Sequence, residues 1–267
     1  HRAQQAGLNE LIGPYLVTLA ILALASLVIY LWLRPDPRDV GRKIAALYPE
    51  IMVHQGPARP VPQILRTPAA FVAVSAMVFS YMVMAMLMCM VSLHMVDHQH
   101  TLAGISVVIS AHTFGMYAFS MVSGRLTDRW GRGPVILTGS ATLVLACVLA
   151  TLSPDVVPLS IALFLLGLGW NLCYVSGSAL LSDQLSPEER AGTQGANDFL
   201  IGLATAAASF GSGVIFAGTG YVALGVVGAA ASLVLMGLTG WWMVSKRRLV
   251  VAWWPFAVRT PDPCLSC

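Results

Sequence analysis

Thioether and imidazole side chains recur at helical spacing in two neighbouring apolar segments of the chain. Met84 and Met88 are four residues apart in the first segment, and His112 and Met116 are four residues apart in the second. A spacing of four places both members of a pair on one helix face. In a symmetric hairpin with its tip near residues 97–100, two residues at equal depth have numbers with a common midpoint. Met88 with His112 and Met84 with Met116 both give the midpoint 100, so the four side chains would meet at two adjacent levels. Sulfur and imidazole ligands select Cu(I) over hard cations, and the pattern therefore predicts a copper site.

Ordinary packing is the competing interpretation of the same residues. Methionine is a flexible filler of apolar helices, and a Met-rich segment contains many pairs at this spacing by chance. A buried His112 can simply form a hydrogen bond to a neighbouring helix. Under the copper hypothesis, His94, His98 and His100 lie at the outer mouth as a capture site.

Polar residues inside the later apolar segments form a second group of candidates. Asn197 and Asp198 lie one or two turns inside a segment that follows Ser186–Glu189, a capping signal that predicts a short helix. If these apolar segments cross a membrane, a carboxylate inside one of them is a functional candidate by default. A carboxylate near the membrane surface can be simply solvated. We predict that Asn171, Asn197 and Asp198 serve ion coupling or line a polar cavity. If the substrate is an organic solute, Asn171 and Ser176 face that cavity.

A glycine- and arginine-rich motif separates the third and fourth apolar segments. Its residues are Gly124, Asp128, Arg129, Gly131 and Arg132. Gly131 permits a sharp turn, Gly124 allows close packing at a helix end, and the arginines can anchor to anionic headgroups. Asp128 can pair with the arginines or with the positive end of a neighbouring helix. The motif predicts a tight turn at the membrane surface, and a solvated basic loop is the alternative.

The elements that position these residues are predicted to be transmembrane helices. The chain has 267 residues, of which 57% are apolar and 10% charged, with mean hydropathy +0.75. Soluble domains carry about 25% charged residues, so the fold class is all-α and polytopic. About 20 apolar residues span the hydrocarbon core. Seven segments reach that length: Leu11–Leu33, Thr67–Val96, Thr101–Gly124, Gly133–Pro154, Val156–Ser182, 194–217 and 221–245.

The basic residues give the orientation of these seven spans. Fourteen of the 15 Lys and Arg residues fall in alternate loops and in the C-terminal tail, and only Arg2 lies opposite. The positive-inside rule makes the basic side cytoplasmic, with the N-terminus outside and the C-terminus inside. We expect a single span over residues 1–33, a Pro-rich linker over 34–66 with an amphipathic piece Arg38–Leu47, six spans over 67–248 and a tail over 249–267. Residue 1 is expected to be the start of a fragment.

The arginine-rich motif resembles the G-x-x-x-D-[RK]-x-G-R-[RK] signature of the major facilitator superfamily, with Gly133 departing at the last position. In that family the signature follows the second helix and, in a weaker form, the eighth. The linker and the six following spans match the second placement. The resemblance implies that the chain corresponds to helices six to twelve and that a missing N-terminal half completes a central site. It also implies that Asp128 locks the halves in the outward-open state during alternating access.

The paired methionine and histidine motifs are similar to those of the copper-importing branch of this superfamily. Import of copper ions is therefore the best single substrate prediction. Small organic solutes or drugs are the alternative cargo, and a non-transporting half-carrier is a third possibility. No hydrolase, zinc-protease or phosphate-loop motif is present, so we expect no enzyme activity and no cofactor, copper being a substrate. The expected partners are the lipid bilayer of the inner cell membrane, the missing half and a small solute or ion, without nucleic acid.

Overall fold

The computed structural model describes residues 12–33, the four positions 39, 40, 43 and 47, and residues 58–257. Side chains are described for residues 16–33, the same four positions and residues 58–245. Most of the predicted amphipathic piece Arg38–Leu47 and the end of the tail lie outside the described residues. The described helices are α1 Ile12–Trp32, α2 Val61–Leu65, α3 Pro68–Asp97, α4 Leu102–Tyr117, α5 Ser120–Trp130, α6 Arg132–Ala150, α7 Val156–Ser182, α8 Pro187–Thr219 and α9 Tyr221–Ala257.

The predicted fold class is confirmed, since the described secondary structure is entirely helical and suited to a membrane. Six stretches are long and apolar enough to cross a bilayer: Pro68–Asp97, Leu102–Trp130, Arg132–Ala150, Val156–Ser182, Pro187–Thr219 and Tyr221–Ser245. Helix α1, the predicted first span, has 21 uncharged residues and belongs to a separate unit comprising residues 1–55. Residues 56–267 form the second unit. The chain is therefore a multi-pass membrane protein.

Helix α7 is the centre of the second unit, because it packs against α3, α4, α5 and α6. The bundle has two distinct ends. At the arginine end, Arg132 at the start of α6 meets Asp183 after α7. At the histidine end, His94 near the end of α3 stacks on Tyr221 at the start of α9. These contacts show that α6 and α7 run in opposite directions, as do α3 and α9.

Two glycines allow α4 and α7 to cross in backbone contact. A Cβ on Gly167 would overlap the carbonyl oxygen of His112, and a Cβ on Gly115 would overlap that of Phe164. Lipid tails supply no hydrophobic drive between helices, so close packing of small residues takes its place in the membrane. The crossing fixes α4 on α7 at the level of the predicted copper ligands.

Several helix boundaries differ from the prediction. The predicted span Thr101–Gly124 is two helices, α4 and α5, separated at Ala118 and Phe119. Helix α8 begins at its capping box and is continuous, so the predicted short helix and the predicted span 194–217 are one helix that starts at Pro187. The predicted linker contains α2, which begins at a Pro-rich N-terminus. Helix α9 continues past residue 248, where the tail was predicted to begin.

Candidate functional site

The arginine-rich motif forms the turn between α5 and α6. Gly131 has a φ of +90°, which confirms the predicted sharp turn at a conformation that other residues rarely adopt. The Arg132 side chain donates from Nε to Asp183 Oδ2 at 2.8 Å, and its Nη1 lies 3.5 Å from Asp128 Oδ1. This turn joins α6 to the end of α7 through a short ion pair and holds Asp128 only loosely.

Asp128 and Gly124 lie in α5 and face open surroundings. The Asp128 side chain is 78% exposed. Within the described part of the chain, a Cβ added at Gly124 would have no neighbour within 4 Å. The predicted close packing at Gly124 therefore has no counterpart within this unit. The role of Asp128 as a conformational lock stays a prediction.

A second ion pair at the arginine end was not foreseen from the sequence. Arg59 donates from its backbone N and from Nε to Glu189 Oε1, and from Nη2 to Glu189 Oε2, at 2.8–2.9 Å. Its Nη2 also donates to the backbone oxygen of Gln184 at 2.7 Å. These hydrogen bonds to the buried Glu189 carboxylate raise the pKa of Arg59. We call this arrangement the Arg59 clamp.

The clamp acts on the same residue that caps α8. Glu189 Oε2 accepts from the backbone N of Ser186 at 3.0 Å, which confirms the predicted capping signal. The carboxylate thus satisfies an otherwise unpaired donor at the helix start while it holds the chain preceding α2. The end of the linker and the start of α8 are therefore one structural unit.

His112 is committed to helix packing in this structure. It is 3% exposed, and its Nδ1 lies 3.0 Å from the carbonyl oxygen of Leu163 in α7. Because a carbonyl only accepts, Nδ1 carries the proton. Helix α7 packs against both α3 and α4, whereas α3 and α4 have little contact with each other. Met84 and Met88 on α3 are therefore not packed along the helix that carries His112 and Met116, and their convergence stays a prediction.

The three histidines predicted at the outer mouth are only partly assembled. His94 and His98 have ring centroids 4.5 Å apart, and His98 Nδ1 bonds to the His94 carbonyl oxygen at 2.8 Å. The His94 ring also stacks on Tyr221, with the ring centroids 4.4 Å apart. Among the described residues, no group of three or more His, Cys, Asp or Glu side chains is arranged to hold a metal ion.

Asn171 braces the interruption between α4 and α5. Its Nδ2 donates to the carbonyl oxygen of Met116 at 2.7 Å and to Ser120 Oγ at 3.0 Å, and its Oδ1 accepts from Ser123 Oγ. A helix break leaves backbone carbonyls without partners, and Asn171 supplies one. Both of its N–H groups are used within the described chain, and its predicted role in ion coupling or a polar cavity stays a prediction. Ser176 is likewise buried and bonds to Thr127 of α5 at 2.8 Å.

Asn197 and Asp198 lie on α8 beside α3. Asn197 is fully buried, and its Nδ2 lies 3.7 Å from Met77 Sδ. Its Oδ1 has no hydrogen-bond partner among the described residues. Asp198 is exposed, and its Oδ1 accepts from Gln194 Nε2 at 2.9 Å and from Asn197 Nδ2 at 3.4 Å.

Four aromatic side chains from three spans meet near the middle of the bundle, and we call them the aromatic cluster. Trp170 and Tyr174 stack with centroids 5.1 Å apart and an interplanar angle of 9°. Tyr81 of α3 forms T-shaped contacts with both, at 5.0 and 5.6 Å between ring centroids. Tyr117 of α4 approaches Trp170 at 6.3 Å. The cluster is partly exposed through its tyrosines, and the buried Trp170 Nε1 has no acceptor among the described residues.

The aromatic cluster lies about halfway across the bundle. At a rise of about 1.5 Å per residue, Tyr81 is about 20 Å from the start of α3, and Trp170 is about 18 Å from the end of α7. The position of these residues in their spans could have revealed the cluster from the sequence, because Trp and Tyr normally favour the two membrane interfaces. Aromatic side chains at mid-depth are therefore unusual, and Trp170 and Tyr174 share one helix face through their spacing of four.

Comparison with known proteins identifies the family of this bundle. Residues 73–252 match the profile of the Major Facilitator Superfamily. The chain belongs to this superfamily. The match covers most of the six-helix unit, including the turn at Gly131, and agrees with the resemblance carried by the arginine-rich motif.

Individual relatives agree with this assignment. The chain is 38% identical over 241 residues to the uncharacterized MFS-type transporter YdeG of Bacillus subtilis (strain 168), covering 90% of this chain and 56% of that protein. It is 34% identical to the uncharacterized MFS-type transporter YddS of the same strain, with the same coverage. The riboflavin transporter RfnT of Brucella anthropi is 33% identical over 163 residues, which are 61% of this chain and 41% of that protein. The chain spans about half the length of the curated relatives it matches.

Proposed function

We propose that this chain, together with an N-terminal half, forms a secondary transporter that works by alternating access and carries a small organic solute with a planar aromatic group. The aromatic cluster is the observation on which the proposal depends. Stacked and edge-on rings at mid-depth offer flat apolar faces with some exposure, which suits a planar ligand. Carriers of this type bind their cargo near the bilayer midplane between two repeats.

The relatives support an organic cargo. RfnT is named as a riboflavin transporter, and riboflavin contains a flat tricyclic ring. The proposal transfers only this chemical class to the present chain. It also includes an inner-membrane location, an outside N-terminus, a cytoplasmic C-terminus and the absence of enzyme activity.

Copper import has less structural support than the organic cargo. His112 donates to Leu163, and α7 packs against both helices that carry the proposed ligands. Met84 and Met88 are half-buried side chains of α3, as expected of packing residues. The copper hypothesis remains the second candidate because the thioether and imidazole residues are present at helical spacing.

Substitution of Tyr174 tests the proposed cargo class in the complete carrier. Tyr174→Leu removes the ring, and Tyr174→Phe keeps it, so the phenylalanine variant is the matched control. We expect Tyr174→Leu to weaken binding of the planar tricyclic probe N-methylacridone to the purified complete carrier about fivefold, corresponding to ~1 kcal/mol of lost stacking, while Tyr174→Phe stays near the wild type. Equal binding by all three proteins would contradict the aromatic site.

Measurement of copper accumulation in cells that express the carrier tests the second candidate, copper import. The double change Met84→Leu and Met88→Leu conserves volume and apolarity but removes both sulfur atoms. The organic-solute proposal predicts unchanged copper accumulation. Loss of copper accumulation in this variant would establish copper as the cargo instead.

A further inference from the structure

We infer that Asp198 is the counter-ion for a planar aromatic cation held at the aromatic cluster. The inference rests on the proposed function and makes the substrate class more specific. It depends on three features of the structure: the level of Asp198 in the bundle, the absence of a cationic partner in the described residues, and the chemistry of the adjacent rings.

The level of Asp198 follows from a layer of contacts just below the aromatic cluster. Asn197 contacts Met77, and a Cβ on Gly177 would lie 3.0 Å from Met77 Cγ. Helices α3, α7 and α8 therefore meet at Met77. Tyr81 is one turn further along α3 on the same face. Asp198, adjacent to Asn197, is thus within about one turn of the cluster.

The carboxylate of Asp198 is incompletely satisfied. Its Oδ1 accepts two hydrogen bonds from amide side chains, and no donor to Oδ2 is found in the described structure. No Lys or Arg of the described chain forms an ion pair with it, since those pairs involve other acids. Asp198 lies about 17 Å from the start of α8 at about 1.5 Å per residue. An intramembrane carboxylate is a functional candidate, because such groups pair with an opposite charge or face a water-filled cavity.

The rings beside Asp198 favour the same sign of charge. The faces of Tyr and Trp rings carry partial negative charge and attract cations. A planar cation would stack on the cluster and neutralise the carboxylate at once, whereas a neutral ligand of the same shape would leave Asp198 unpaired. An anionic ligand would be repelled. The geometry thus distinguishes ligands by charge as well as by shape.

Two tricyclic probes of nearly equal shape test this inference in the purified complete carrier. N-methylacridinium is a permanent cation, and N-methylacridone is neutral. Binding of each is measured by fluorescence polarisation. We expect the wild type to bind the cation about tenfold more tightly than the neutral probe, and Asp198→Asn to abolish this preference by weakening only the cation, a change of about 1.4 kcal/mol.

Glu188→Gln is the matched control, because it removes another exposed carboxylate of α8 from the arginine end. It should leave both affinities within about twofold of the wild type, a difference below ~0.5 kcal/mol. Equal weakening of both probes by Asp198→Asn, or no change in either, would overturn the counter-ion role while leaving a stacking site intact. Binding of neither probe by the wild type would overturn the proposed aromatic site and the inference together.

Discussion

Asp128 combines high exposure with a weak local contact, which makes it a suitable residue for a functional test. Its oxygen lies 3.5 Å from Arg132, whose stronger partner is Asp183. Exposed ion pairs contribute about 0–1 kcal/mol to stability. We therefore expect Asp128→Asn to lower transport by the complete carrier while expression stays near normal, because the proposed lock with the other half is lost. Initial transport rates, normalised to the amount of carrier in the membrane, measure the effect.

Asp183→Asn distinguishes a lock from a local anchor. This control removes the short bond to Arg132 but leaves Asp128 in place. If Asp128 acts across the two halves, its variant should impair transport more than the control. Unchanged transport in Asp128→Asn would contradict the lock.

Single residues were predictable where one local conformation determined their role. The turn at Gly131 and the cap at Ser186 follow from the backbone requirements of neighbouring residues, and both are confirmed. The aromatic cluster depends on three spans meeting in space, so no local spacing revealed Tyr81 or Tyr117. The spacing of four between His112 and Met116 gave no information about the hydrogen-bond partner of His112, which is the carbonyl oxygen of Leu163 on α7.

At the scale of elements, the Arg59 clamp predicts that the end of the linker stabilises α8. Arg59→Gln would leave the Glu189 carboxylate, whose side chain is 1% exposed, without its counter-charge. Breaking a buried pair on one side costs about 3 kcal/mol or more. We expect a clear fall in the Tm of the purified carrier, measured by thermal unfolding in detergent.

Two further variants identify the cause of that fall. Arg66→Gln removes a nearby arginine that is not part of the clamp and should leave Tm almost unchanged. The double variant Arg59→Gln with Glu189→Gln should recover part of the lost stability, because no buried charge remains unpaired. A fall of equal size in Arg59→Gln and Arg66→Gln would show that the clamp does not stabilise α8.

Helix existence was easier to predict than helix interruption. Apolar length identifies the six spans of the second unit because the bilayer sets a minimum length. The break after Tyr117 lies within an apolar run and has no proline nearby. Its backbone is satisfied by Asn171, which is distant in sequence. A break that depends on a tertiary partner leaves no signal in local composition.

For the whole molecule, the distribution of basic residues predicts which end of the bundle faces the cytoplasm. The arginine end contains Arg59 and Arg132, and Gln99 lies in the turn at the histidine end. We expect Ala58→Cys to be inaccessible and Gln99→Cys to be labelled when an impermeant maleimide is added to intact cells. Both variants are made after replacement of the native cysteines.

Permeabilised cells provide the control for this labelling. After permeabilisation, both introduced cysteines should react, which shows that Ala58→Cys is reactive once the reagent reaches it. Labelling of Ala58→Cys from outside in intact cells would reverse the proposed orientation.

The organisation of the molecule was predictable to the extent that charge and apolar length determine it. The sequence pattern predicted six spans after a basic linker, and the family match covers residues 73–252 of that region. The arrangement of helices around α7 was not predictable, because hydrophobic periodicity is weak when both lipid and protein surround a helix. Composition therefore indicates how many spans exist but not which ones touch.

The crossing of α4 and α7 has a genetic consequence. Glycine is the only amino acid without a Cβ, so every missense change in the codons for Gly115 and Gly167 places a carbon where a backbone oxygen of the other helix already lies. No chemically conservative replacement exists at either position. We therefore expect alleles altered at these two codons to carry a defect in helix assembly, regardless of which amino acid they encode.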